Sequence, residues 1–161
     1  MGVFIDIYPY DGLGTTEKEA VTYGMKGDRL SSLCYQSTRE HFAIETTTSL
    51  FRKIIKYPVF IGSKLIGKDY FQKKLNQLVK LKEYEDSNYI GCVVWLSGGK
   101  KEIFLRKWFD ETVMVPFEKY QFRVPKDYDE VLRHTYGDYM QLPPEKDRIG
   151  HHYFKAYRKD E

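Results

Sequence analysis

The sequence predicts an α+β fold in which a short sheet packs with helices, and three observations carry that prediction. Val3, Ile5 and Ile7 alternate with Phe4, Asp6 and Tyr8, the two-residue period of a strand. Phe71, Leu75, Leu78, Val79 and Lys82 recur at three- and four-residue spacing across residues 68–84, the period of an amphipathic helix. Residues 111–118 and 120–124 read as two short strands around Glu118-Lys119, followed by a helix that Pro125 opens and that runs through Tyr136. The chain of 161 residues is expected to form one domain, 1–161, large enough to bury a core.

Each element has its own local reason. Pro9 ends the first strand and Asp11-Gly12 supplies turn chemistry. Thr15-Thr16-Glu17-Lys18-Glu19 has the form of a capped helix start. Residues 29–56 read as an interrupted helix with Leu30, Leu33, Cys34, Leu50, Phe51, Ile54 and Ile55 inward. The threonines of Glu45-Thr46-Thr47-Thr48-Ser49 weaken it, and Pro58 breaks the segment after it. Ser87-Asn88 interrupts the next helix, residues 89–96 form an apolar strand, and Ser97-Gly98-Gly99 a turn. Gly137 sits where a helix C-cap belongs, and the tail from Tyr139 is irregular.

Composition narrows the class. With 14 Tyr, 10 Phe and 2 Trp the chain is globular rather than disordered. A net charge of +3 suits an anionic, phosphate-bearing ligand or a membrane surface, and ordinary soluble proteins equally. No basic stripe with interleaved aromatics is present, so nucleic acid is not an expected partner. Cys34 and Cys92 make neither a zinc ribbon nor a disulfide framework and read as buried, reduced thiols of a cytosolic protein. No apolar run is long enough for a membrane span. Met1-Gly2 fails as a myristoylation signal because Asp6 stands where Ser or Thr is needed.

Asp6 is the first residue to suggest chemistry. An acid inside an apolar strand is costly unless it meets a cation or donors. Ile5-Asp6-Ile7 has the hydrophobic-Asp-hydrophobic form in which nucleotidyltransferase-like sites hold Mg²⁺, although a strand-end aspartate is more often a turn or capping acid. Asp11 reads as an Asx-turn former. Asp127-Tyr128-Asp129 has the spacing of a metal-binding pair, but its place in a first helical turn favours caps and dipole partners. His151-His152, His41 and His134 lack the partners of a metal site or a triad. Trp95, Trp108 and Phe109 are expected in the core. Gly98-Gly99-Lys100-Lys101 lacks P-loop spacing and reads as a hairpin turn with a solvated basic tip.

Two strings carry a resemblance. Tyr136-Gly137-Asp138-Tyr139-Met140-Gln141-Leu142-Pro143-Pro144-Glu145-Lys146-Asp147-Arg148 resembles the C-terminal signature of the LicD family of phosphocholine transferases and fukutin-related proteins. Val3-Phe4-Ile5-Asp6-Ile7-Tyr8-Pro9-Tyr10-Asp11-Gly12 is similar to the family's mid-chain strand and turn. The family's Gly-Thr-Leu-Leu-Gly stretch and its Asp-Asp-Asp-Ile-Asp cluster are missing. The resemblance therefore covers the later part of a family member and implies an incomplete nucleotidyltransferase-like fold, with the upstream catalytic segment absent.

The resemblance has implications for individual residues. Asp6 would be the third, catalytic carboxylate of a Mg²⁺ site. Tyr8 and Tyr10 flank Pro9 beside it and would offer aromatic faces to a choline ammonium. Arg148 would clamp phosphate oxygens, or pair with Asp138 or Glu145. The implied reaction moves phosphocholine or a related group from CDP-choline, or a similar CDP-linked donor, to a hydroxyl of a glycan such as lipopolysaccharide, teichoic acid or capsule. A nucleotide donor places this in the cytoplasm, either free or peripheral at the inner membrane face. Lacking the paired acids, the chain by itself is expected to be inactive, as a truncation, a split-gene product or a pseudoenzyme. The competing expectation is a non-catalytic module that binds a ligand, with a homo-oligomer or partner chain covering the missing part.

Overall fold

The computed structural model describes residues 7–42, 50–96, 99–142, 144–145 and 148. The strand expected at 3–7 falls outside them apart from its end, and Ile7 to Tyr10 are irregular. The first strand, β1, is Asp11–Gly14. This corrects the turn expected at Asp11-Gly12: the pair lies in the sheet. Gly12 is there for closeness, since a Cβ on it would lie 2.4 Å from the Glu83 carbonyl oxygen. Gly14, at φ 118, takes the backbone out of the strand.

Helix α1, Glu17–Thr38, starts where the capping pattern places it. Thr16 Oγ1 accepts from the Glu19 amide at 3.3 Å, while Glu19 Oε2 reaches back to the Thr15 amide at 3.0 Å. Helix α2 is Leu50–Ile66 and α3 is Lys68–Val79. Pro58 lies inside α2 rather than ending it. Phe71 and Leu78 are buried, as the helical period of α3 requires, but Lys82 lies beyond its end and pairs with Glu19.

Strand β2, Tyr89–Gly91, is shorter than expected, because residues 92–96 turn down onto α1. The Leu96 amide donates to Asp28 Oδ1 at 3.3 Å and the Trp95 amide to the Cys92 carbonyl at 3.1 Å. Two α1 glycines make room: a Cβ on Gly27 would lie 2.2 Å from the Val93 carbonyl oxygen, and one on Gly24 would lie 2.6 Å from Leu96 Cδ2. A 3₁₀ turn, Gly99–Glu102, then leads to β3, Phe104–Leu105. The antiparallel sheet has the order β1-β2-β3, with Asp11 opposite Gly91 and Ile90 opposite Phe104. Its core is Leu13, Ala20, Leu78, Val93, Leu96 and Ile103, so sheet, α1 and α3 share one apolar interior.

Buried Ser87 ties the sheet to the loop after α3. Its hydroxyl accepts from the Gly14 amide at 3.2 Å and donates to the Glu83 carbonyl at 2.9 Å. A second sheet is the hairpin of β4, Thr112–Phe117, and β5, Tyr120–Pro125, turning at Glu118-Lys119 as the sequence indicates. Pro125 belongs to β5, opposite Thr112, and does not open the helix. The ladder continues one residue further through the Lys126 amide to Glu111, so α4 begins later, as Tyr128–Tyr136 capped at Gly137. Mixed helix and short sheets agree with an α+β class.

Several burial expectations are corrected. Phe51, Ile54 and Ile55 of α2 face solvent. Cys34 is half-buried near the Lys68 carbonyl, whereas Cys92 is buried as expected, and both are free thiols.

Candidate functional site

The end of the three-stranded sheet and one face of α4 enclose a cleft of about 320 Å³. Phe104 and Cys92 come from the sheet side, and Val131, Leu132, Thr135 and Tyr136 from successive turns of α4. Tyr8, Tyr10, Trp95 and Glu102 complete the lining. Tyr10 is fixed by stacking on Phe104, with ring centroids 5.4 Å apart, and by the edge of Phe109 at 5.5 Å. Tyr8 stands half out of the structure beside it. Trp95, expected in the core, is exposed at the cleft wall.

The cleft is electrostatically one-sided. Glu102 enters it from the 3₁₀ turn, and one of its carboxylate oxygens, Oε2, is buried without a hydrogen-bond partner. An unpartnered carboxylate oxygen away from water is costly, and a cation nearby offsets that cost. Burial pushes the Tyr10 hydroxyl up from its ordinary value, with Cys92, Glu102 and Tyr136 adding to the effect. Burial also pushes up the Cys92 thiol, and the negative charges of Asp11 and Glu102 reinforce this, while backbone amides at Val94 and Trp95 oppose it. Cys92 is therefore a neutral wall group rather than a nucleophile. Aromatic rings line the cleft beside a carboxylate oxygen that has no hydrogen-bond partner.

The residues singled out in the sequence are not all brought together. Tyr8 and Tyr10 share the cleft. Asp6 lies outside the described residues, as do His151 and His152. Arg148 is exposed, its amide donating to the Glu145 carbonyl at 3.2 Å, and it is not part of the cleft lining. Asp129 is held by Arg133 at 2.7 Å and by the Tyr139 hydroxyl at 2.6 Å, which agrees with a structural role. Asp127 precedes α4 but makes no side-chain cap. His134 accompanies the ring cluster, 5.7 Å from Phe104 and 5.6 Å from Trp108, with Nε2 2.9 Å from the Lys100 carbonyl oxygen. Among the described residues no three acidic, histidine or cysteine side chains lie close enough to share a metal ion. They do not by themselves fit a Mg²⁺ site.

Comparison with known proteins identifies the relationship. Over 157 residues, 96% of this chain, the sequence is 32% identical to the lipopolysaccharide cholinephosphotransferase LicD of Haemophilus influenzae. The alignment supports a relationship of this chain to part of a LicD-family protein. The chain spans 57% of the length of that LicD relative. No protein-family model matches the chain, and no solved structure does.

Glu102, Trp95 and Tyr136 line the cleft without having been singled out for it in the sequence. Glu102 had a signal: it is an acid at the edge of the apolar run Ile103-Phe104-Leu105, the same type of anomaly as Asp6. The adjoining Lys100 and Lys101 obscured it by making the segment read as a solvated tip. Tyr136 gave no local signal of a site, because only the packing of α4 against the sheet brings it into the cleft lining.

Proposed function

We propose that this chain forms part of a LicD-type transferase, and that its aromatic cleft receives the choline head of the transferred group. The observation that carries the reading is the aromatic lining of the cleft beside Glu102, whose Oε2 is buried without a hydrogen-bond partner. The LicD relationship selects choline among organic cations. The donor would be CDP-choline or a similar CDP-linked molecule, and the acceptor a hydroxyl of a cell-surface glycan.

In this reading the acceptor oxygen attacks the phosphorus that bears choline. A new P–O bond forms, the P–O bond to CMP breaks, and the hydroxyl proton leaves to a base. Tyr10, rigidly stacked on Phe104, and the wall from Trp95 to Tyr136 would fix the ammonium end of the group and hold its phosphorus in register for attack. Glu102 would complement the positive charge through both substrate and product. Asp6 is proposed as a catalytic carboxylate facing Mg²⁺, whose other ligands would come from outside the described residues. Arg148 is proposed as a phosphate contact.

A chimera in which residues 1–161 replace the matched part of the Haemophilus enzyme tests this, assayed for CMP release from CDP-choline over a Mg²⁺ titration. Asp6→Asn should lower the rate on the order of a hundredfold, the scale of one lost preorganised electrostatic contact. Asp129→Asn should keep the rate, since Asp129 serves Arg133 and Tyr139. Normal turnover and Mg²⁺ dependence in Asp6→Asn, with both lost in Asp129→Asn, would move the active site elsewhere.

A further inference from the structure

His134 links two parts of the cleft. Its neighbours Val131, Leu132, Thr135 and Tyr136 line the cleft from α4, and Glu102 enters from the turn Gly99–Glu102. The His134 side chain reaches from α4 to that turn, with Nε2 2.9 Å from the Lys100 carbonyl oxygen. A carbonyl oxygen only accepts, so Nε2 carries a proton and donates. Edge contacts with Phe104 at 5.7 Å and Trp108 at 5.6 Å between ring centroids set the imidazole for this reach.

The turn gains from such a tie. A single 3₁₀ turn has poor hydrogen-bond geometry of its own, here the Ile103 amide to the Lys100 carbonyl at 3.2 Å. On one side it rests on β2, where a Cβ on Gly91 would lie 2.7 Å from the Glu102 carbonyl oxygen. The ion pair between Lys100 and Glu17, 2.7 Å long, is open to solvent and holds the turn weakly. Glu102 Oε2 has no hydrogen-bond partner, so its place in the cleft depends on the backbone that carries it. We propose that His134 positions Glu102: by donating to the Lys100 carbonyl it pins the turn to α4 and keeps the carboxylate directed into the cleft. The consequence for ligand affinity rests on the choline reading of the cleft, whereas the pin itself does not.

Amide hydrogen exchange of the 161-residue chain without ligand tests the pin. His134→Phe keeps a ring beside Phe104 and Trp108 but loses the donor. Its Ile103 amide should exchange roughly three- to fivefold faster, the scale of one lost hydrogen bond. Ile90, buried in β2, should keep its protection. His134→Gln, which restores an N–H, should recover most of the protection at Ile103. Calorimetric titration with phosphocholine tests the link to Glu102. His134→Phe should weaken binding by a similar factor in the wild type and by nothing further in Glu102→Gln, because the pin acts through that carboxylate. The proposal is overturned if Ile103 exchange is unchanged in His134→Phe, if His134→Gln is no better protected, or if the double variant loses the product of the two single effects. A wild type that ignores phosphocholine would contradict the choline reading, and faster Ile103 exchange in His134→Phe would then still support the pin.

Discussion

Asp11 shows how a single carboxylate can be read wrongly from its neighbours and rightly from its surroundings. Followed by glycine, it has the look of a turn residue, yet it opens β1 opposite Gly91. Burial alone raises its carboxyl above the ordinary value. A folded-state value above the unfolded one means that ionised Asp11 opposes folding. That opposition is complete above the raised folded value, fades as pH falls through it, and is gone below the unfolded value near 3.8. Asp11→Asn is therefore expected to be neutral or slightly stabilising at pH 7, by less than about 1 kcal/mol for so solvent-accessible a group. The gain should disappear below the carboxylate range. Urea titrations at pH 7 and pH 3.5 check this, and a destabilised Asn variant at pH 7 would mean that the carboxylate has a favourable partner.

Elements were legible where their signals are local. The Thr16 cap, the period of α3, the β4–β5 hairpin and the Gly137 stop all depend on residues within a few positions of one another. Two errors come from tertiary choices. The apolar stripe of α2 is plain in the sequence, but its period does not say which side packs inward, and the Phe42–Phe60 contact chose the other side. Pro58 is tolerated because it sits on the solvent side, where water can satisfy the carbonyl its missing N–H leaves free. The glycines of α1 are the reverse case: poor helix formers retained for close packing. Gly27→Ala should gain helix propensity and still destabilise, because its Cβ would collide with the Val93 backbone. A net loss of about 1–3 kcal/mol in chemical denaturation is expected, and an unchanged or increased stability would show that residues 92–96 can shift without cost.

At the scale of the molecule, the sheet, α1 and α3 build one interior, and α4 closes a cleft against the sheet's end. The sequence supplied Tyr8 and Tyr10 for that cleft, while folding added Glu102, Trp95 and Tyr136 from distant segments. The central claim is that these groups together hold a choline cation. Calorimetric titration of the chain with phosphocholine and with phosphoethanolamine is the direct test. Phosphocholine should bind and phosphoethanolamine more weakly, with Glu102→Gln and Tyr136→Ala each costing about tenfold in affinity while thermal unfolding stays cooperative. No heat with phosphocholine, or affinity unchanged in both folded variants, would contradict the assignment of the cleft.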